Sequence, residues 1–119
     1  MKGFNEWRGL GNLTRDPEVK YSQNGTAFGK LSMAINRQVY DRESKSYREE
    51  VDFIDVSVFG KTAEVCGEHL HKGSPVFVAG SLRFETWKDR ETGQERKAMK
   101  VISENVHFLS FPPRQNDSR

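Results

Sequence analysis

The sequence Val51-Asp52-Phe53-Ile54-Asp55-Val56-Ser57-Val58-Phe59 alternates in side-chain character with a period of two, which predicts a β-strand. Successive side chains of a strand point to opposite faces, so Ile54, Val56 and Val58 share one face. We predict that this aliphatic face joins the core. The other face carries Phe53 and Phe59 among polar side chains.

The two phenylalanines lie roughly 20 Å apart along such a strand, at ~3.3 Å per residue. Rings exposed on a polar sheet face are suited to stacking with unpaired nucleobases, at ~1–3 kcal/mol per base. The alternative is that a helix or a second subunit covers the same rings. The segment therefore predicts either a base-stacking surface or a covered interface.

Composition limits the chain to one domain with a modest core. The 119 residues are 34% hydrophobic, which is low, and 11% aromatic, which is not. This balance favours a small β core with an aromatic surface over a helical bundle. The net charge is only +2, so affinity for a polyanion would depend on where Lys and Arg are placed.

Several classes of protein are disfavoured by what the sequence lacks. The single cysteine, Cys66, excludes an intrachain disulfide, and we find neither a secretory leader nor a long apolar run. These features predict a cytoplasmic protein with no membrane segment. No catalytic triad, paired-carboxylate or phosphate-loop pattern is present, and His69 and His71 lack converging ligands. We therefore expect neither an enzyme nor a cofactor or metal.

Alternation of apolar and polar side chains recurs along the chain and predicts an all-β fold. The strand patterns cover residues 4–13, 27–39, 51–59, 76–87 and 98–109. A short extended piece at 18–21 precedes a two-residue hairpin at Asn24-Gly25. A helix is predicted over residues 61–72, with Gly73 just past its end.

The same alternation predicts which side chains fill the core. The predicted core residues are Leu31, Met33, Ile35, Cys66, Met99 and Val101, with Val106 and Phe108 as further candidates. Val76, Val78, Leu82 and Phe84 share one face of their strand, and Ala63, Cys66 and Leu70 form an apolar stripe on the helix. Phe28 and Lys30 fall on the polar face of their strand. Parity does not decide whether Trp7 belongs to the core or to the surface.

Residues 37–49 form a polar insert that holds Tyr40 and Tyr47. Its basic residues are Arg37, Arg42, Lys45 and Arg48. A solvated hairpin tip is one interpretation, and a flexible finger lying along a phosphate backbone is another. The two interpretations are compatible.

Five strands with one helix between the third and fourth match the order of an OB-fold barrel, which binds oligonucleotides on one sheet face. The chain resembles the DNA-binding domain of the bacterial single-stranded DNA-binding protein (SSB) family over residues 4–110. The resemblance rests on the motifs at residues 11–18, 52–61 and 70–74, together with Tyr21, Asn24-Gly25, Ala63-Glu64, Val76, Val78 and Gly80. Residues 1–110 are accordingly assigned to this domain, and 111–119 to a short disordered tail.

The resemblance implies a homotetramer around which single-stranded DNA wraps during replication, recombination and repair. The stacking aromatics of the family correspond to Phe53, Phe59 and Trp87, with a fourth near Tyr40. The phosphate-contacting positions of the family correspond to Lys61, Lys72 and Arg83. With Lys30 on the polar face and basic residues of the insert, the predicted nucleic-acid-binding residues are Tyr40, Phe53, Phe59, Trp87, Arg83, Lys61, Lys72, Lys30, Arg42, Lys45 and Arg48.

The sequence departs from the family pattern in two ways, and each leads to a separate expectation. Acidic or neutral residues stand where basic ones are common, at Glu6, Asp55, Glu85 and Thr86. Each lost phosphate contact should reduce the slope of log K against log salt by ~0.7. The sequence also ends at Arg119 without the acidic tip through which family members recruit replication and repair proteins, as expected for a truncated form or a tail-less paralogue.

Other functions remain compatible with the same residues. Base stacking alone does not separate DNA from RNA, so an OB-fold primosome component or RNA-binding module is one alternative. A protein-interaction barrel is another, in which Phe53 and Phe59 would be buried by a neighbouring chain.

Overall fold

The computed structural model describes residues 1–109, so the predicted tail at 111–119 lies outside the described residues. Residues 1–109 form six strands and one helix. In chain order these are β1 (Trp7–Leu13), β2 (Glu18–Tyr21), β3 (Ala27–Asp41), β4 (Ser46–Phe59), α1 (Gly60–His69), β5 (Pro75–Lys88) and β6 (Glu95–Phe108).

Five of the strands close into a barrel. The sheet order is β1-β5-β6-β4-β3-β2, and an additional pairing of β1 with β3 joins the two sides. The short β2 adds to the outer edge of β3, and α1 lies between the third and fourth barrel strands. The prediction of an all-β, five-stranded OB-fold barrel with one helix is therefore confirmed.

The core consists of side chains of one parity from the barrel strands. Fully buried aliphatic residues are Leu31, Met33, Val56, Val58, Val76, Val78 and Val101. Trp7 packs partly buried against this cluster, and its ring occupies the space that a Cβ at Gly9 would need. The structure thus assigns Trp7 to the edge of the core.

The helix closes the barrel with Ala63 and Cys66, both fully buried. Burial in this apolar setting raises the pKa of the Cys66 thiol to about 11 by desolvation. The thiol therefore stays protonated at neutral pH, as expected for a small core residue rather than a nucleophile. In the described part of the chain, no helix is long and apolar enough to cross a membrane.

The helix ends three residues earlier than predicted. Leu70 already has an extended backbone, with φ −102° and ψ 150°, although its N–H still donates to the Cys66 carbonyl. Its side chain turns into the core and stays 7% exposed. Gly73, with φ +91°, serves the turn before β5 instead of following the helix directly.

The β5–β6 hairpin extends beyond the barrel, and this overturns part of the predicted core. Phe84 and Met99 are paired across the hairpin with the parity of core residues, yet they are 70% and 43% exposed. The prediction of Met99 as a core residue was wrong, because this part of the hairpin lies beyond the barrel interior. Near the other end of β6, Val106 packs against the core while Phe108 is 37% exposed.

Most of the predicted insert is paired strand. The β3–β4 ladder continues without a break from Phe28↔Phe59 to Asp41↔Ser46, which leaves only residues 42–45 as a turn. We call residues 36–51 the β3–β4 ribbon. The β2–β3 connection differs in the opposite sense, because it spans residues 22–26 and not a two-residue turn.

Gly80 marks a break in the β5–β6 register. The pairing shifts between Ala79 and Gly80, so β6 contributes one unpaired residue there. A Cβ at position 80 would overlap the backbone carbonyl of Ile102. The sheet can bend at this point only because the residue has no side chain.

We predict that Gly80→Ala lowers the free energy of unfolding by about 1–3 kcal/mol, the usual cost of overpacking against a fixed backbone. Urea unfolding at fixed protein concentration measures the effect. The matched control is Gly3→Ala, because nothing lies within 4 Å of a Cβ at position 3. Equal stability of the two variants would contradict the prediction.

Candidate nucleic-acid interface

Side chains that point away from the core form one continuous surface across β2, β3, β4, β6 and β5, which we call the outer face. Its continuity follows from the pairing: Ser57 lies opposite Lys30 on β3 and Ile102 on β6, and Ile102 lies opposite Ser81 on β5. The central members of the outer face are Phe28, Lys30, Ser32, Phe53, Asp55, Ser57, Phe59, Ser81, Arg83, Glu85, Trp87, Arg96, Lys100 and Ile102.

The structure places all four predicted aromatic residues on this side of the sheet. Phe53 is 72% exposed, Phe59 and Trp87 are each 50% exposed, and Tyr40 is 49% exposed. Phe53 and Phe59 come from β4. Trp87 comes from β5, in the part of the β5–β6 hairpin that extends beyond the barrel, residues 84–99, which we call the hairpin arm. Strands distant in sequence therefore supply one aromatic surface.

Tyr40 extends this surface along the β3–β4 ribbon. It has the same parity as Ala34, which lies opposite Phe53, whereas Val39 has the other parity. Tyr40 pairs across the ladder with Tyr47, with ring centroids 5.1 Å apart and an interplanar angle of 64°. An edge-to-face pair of this kind contributes ~0.5–1.5 kcal/mol beyond the area that it buries. Tyr47 was not among the predicted site residues, although its place in the insert signalled it.

Apart from Arg48, the predicted basic residues lie in three places. Arg83 and Lys30 are on the outer face, and Arg83 lies opposite Lys100. Arg42 and Lys45 are exposed in the turn at the end of the ribbon. Lys61 is the second residue of α1 and lies 3.8 Å from Glu64, whereas Lys72 follows the helix and its backbone N–H donates to Asp16.

Arg48 is the predicted residue that the structure separates from the aromatic surface. It lies opposite Val39, so it has the parity of the opposite side of the ribbon. Its guanidinium contacts Asp41 at 3.7 Å and Glu50 at 3.0 Å. The sequence could not show this, because the register of the insert was not known.

Arg37 belongs to the same cluster on the back of the ribbon. Its guanidinium lies 2.7 Å from Glu50 and 2.9 Å from Asp52. The hydrogen bond to Asp52 is the main cause that raises the pKa of Arg37, followed by the charges of the two carboxylates. Cations on this side of the ribbon are therefore already matched by carboxylates.

Carboxylates also pair with cations on the outer face. Lys30 Nζ lies 3.7 Å from Asp55, and Lys100 forms an ion pair with Glu85. Asp55 and Glu85 are two of the positions where the sequence departs from the family pattern. Both pairs are partly exposed, so each contributes at most ~1 kcal/mol to stability. Their larger effect is to neutralise lysines that would otherwise face an incoming anion.

Lys100 was missing from the predicted site. Lys100 is two residues from Ile102 on β6, so the sequence indicates that they share a face. Only the pairing of Lys100 with Arg83 shows which face that is. Within residues 1–109, no three His, Cys, Asp or Glu side chains are grouped so that they could hold a metal ion. The outer face itself presents exposed rings and charged side chains.

A closed five-stranded barrel with one helix, carrying exposed rings and cations on its sheet face, defines an OB-fold protein. The model of the single-strand binding protein family matches residues 4–109, and the chain belongs to that family.

Two curated relatives are both named single-stranded DNA-binding protein. The one from Wolinella succinogenes is 40% identical over 100 residues, covering 84% of this chain and 60% of the relative. The one from Helicobacter hepaticus is 38% identical over 104 residues, covering 87% of this chain and 60% of the relative. The chain thus spans about 60% of the length of these relatives.

A solved structure has the same fold. It is described as Plasmodium falciparum SSB complex with ssDNA, and it matches with a TM-score of 0.82 at 23% sequence identity. The match covers 92% of this chain and 98% of that chain. At this identity the likeness supports the fold.

Proposed function

We propose that this chain binds single-stranded DNA without sequence preference and protects it during replication, recombination and repair, in the cytoplasm at the nucleoid. The observation that carries the proposal is the set of four rings, each about half exposed or more, on one face of an OB-fold barrel. Membership of the single-strand binding protein family and the names of the relatives favour DNA over RNA as the ligand. The proposed role is binding, without catalysis or a cofactor.

Bases stack on Tyr40, Phe53, Phe59 and Trp87 in this proposal. Every base has a π-face, so stacking of this kind is tolerant of sequence and contributes ~1–3 kcal/mol per base. Phosphates contact the basic residues on or beside the outer face, which are Lys30, Arg42, Lys45, Lys61, Lys72 and Arg83. Arg48 acts from the back of the ribbon by holding Asp41 and Glu50, so it supports the ribbon and does not face the bases.

The competing interpretation, a barrel whose outer rings form a subunit interface, is less well supported. Apolar side chains suitable for an interface lie elsewhere: Leu10 is 56% exposed on β1, and Phe84 and Met99 lie on the side of the hairpin arm opposite Trp87. We propose that a homotetramer forms through such surfaces. The outer face then stays open to DNA.

Titration with oligothymidine should quench the intrinsic tryptophan fluorescence, with affinity falling steeply as salt rises. Trp7 is packed against the core, so Trp87 should account for most of the change. Phe53→Ala and Trp87→Ala should each weaken binding by ~1–3 kcal/mol.

Phe4→Ala is the matched control for these two variants, because Phe4 is an 88% exposed ring that lies before β1. It should leave the affinity unchanged. A flat titration of the parent protein at low salt would remove the proposed function. Equal affinities for all three variants would instead remove the proposed stacking surface.

Glu85→Gln should strengthen oligothymidine binding and steepen the dependence of log K on log salt by ~0.7, the contribution of one phosphate contact to a single strand. The reason is that the change releases Lys100 from its ion pair and makes it available to a phosphate. Binding isotherms at several salt concentrations provide both quantities.

The control for net charge is Glu68→Gln on the exposed side of α1, which removes the same charge away from the outer face. It should change the slope far less than Glu85→Gln does. Equal slopes for the two variants would mean that the Lys100–Glu85 pair does not limit phosphate contact.

Sedimentation equilibrium should give a species four times the 13.7 kDa chain mass. Phe84→Glu should shift the distribution to smaller species, because it places a charge in the proposed apolar contact. Glu91→Lys, a charge change in the loop that joins β5 to β6, serves as the control and should leave the mass unchanged. A monomeric parent protein would overturn the homotetramer.

A further inference from the structure

The outer face continues past Phe59 into a corner formed by β2, β3 and the end of β4. Two rows of side chains cross the three strands there. Lys20, Phe28 and Phe59 form one row, since Phe28 lies opposite both of the others. Glu18, Lys30 and Ser57 form the next row on the same side.

These rows line a surface cavity of about 290 Å³ that is open to solvent. It is lined by Glu18, Lys20, Phe28, Gly29, Lys30 and Ser57. Phe28 is 40% exposed, whereas its neighbour Ala27 is buried with the core, so the ring faces solvent because of strand parity. The cavity therefore has an aromatic ring on one side and two lysines beside it.

The two lysines differ in their electrostatic surroundings. Lys30 is held by Asp55, 3.7 Å away. Across residues 1–109, Lys20 forms no ion pair with Asp or Glu, and it is exposed beside Phe28. Glu18 on the same strand makes the cavity unsuitable for a ligand that is anionic throughout. A ligand with a flat uncharged part and one phosphate fits this distribution of charge better.

We propose that this corner is a further nucleotide subsite, in which one base stacks on Phe28 and the adjoining phosphate contacts Lys20. The occupant is the same DNA strand that stacks on Phe59, so the inference rests on the proposed function and extends it. Phe28 and Phe59 are direct partners in an antiparallel ladder, with Cα atoms roughly 4.5–5.5 Å apart. A strand that leaves Phe59 in the direction of β2 therefore meets Phe28 next.

The subsite changes the path of the bound strand. Without it, the stacking positions would be Tyr40, Phe53, Phe59 and Trp87 only, and none of them lies next to β2. With it, the strand crosses β3 to reach β2 at the edge of the sheet. Phe28 then adds a stacking position near the helix end of β4, where Phe59 and Lys61 already lie.

Phe28→Ala should weaken oligothymidine binding between about five-fold and about 150-fold, the range that one stacked base contributes. Lys20→Ala should lower the slope of log K against log salt by ~0.7. Tyr21→Ala is the matched control: Tyr21 is a 62% exposed ring on the same short strand, but its parity is opposite to that of Lys20. It should leave both quantities unchanged.

Phe28→Trp provides a measurement that does not depend on loss of a side chain. It should retain affinity, because stacking is preserved, and show quenching by oligothymidine beyond that of the parent protein. Thermal unfolding of all variants checks that the barrel is intact.

The outcomes separate the subsite from the proposed function. If the parent protein binds oligothymidine while Phe28→Ala binds equally well and Phe28→Trp shows no added quenching, the subsite is overturned and the proposed function stands. If the parent protein does not bind, both are overturned. Weakened binding by Phe28→Ala, with the control unchanged, supports the subsite.

Discussion

Closure of the sheet by the β1–β3 pairing is the constraint on which the other features depend. A five-stranded barrel has one small interior, and strand alternation allows only every second side chain to reach it. Val56 and Val58 take that interior on β4, which leaves Phe53 and Phe59 facing outward. The aromatic surface is therefore a consequence of how the core is filled. The proposed ligand binding and the stability of the barrel therefore depend on opposite faces of the same strands.

Carboxylates neutralise part of the lysine charge on the outer face. Lys30 and Lys100 are each paired with a carboxylate, and the cations of the ribbon's back form their own network with Glu50 and Asp52. A surface of this kind keeps unbound lysines from repelling one another, but it weakens the attraction for a polyanion. Stacking on the rings consequently has to supply a larger share of the proposed affinity than it would on a strongly basic face.

The local sequence pattern predicted most of the barrel, but it failed where a strand or the helix reaches the limit of the core that it packs against. The strands and the buried aliphatic residues followed from a period of two, and the helix followed from the apolar stripe at i, i+3 and i+7, because both patterns are properties of neighbouring positions. Met99 was misplaced because its strand keeps the parity of the core after the core has ended. The helix was predicted too long because Leu70 continues the apolar stripe while turning out of the helix toward the barrel.

The sequence by itself determined the fold class, the face on which Phe53 and Phe59 lie, and the family to which the chain is similar, since alternation and motif order are encoded locally. Only the tertiary structure decided which side of the ribbon Arg48 occupies, that Lys100 is held by Glu85, and that Phe28 lies beside Phe59. These relations depend on the register between strands that are far apart in the chain. A shift of one residue in that register would move each side chain to the opposite face.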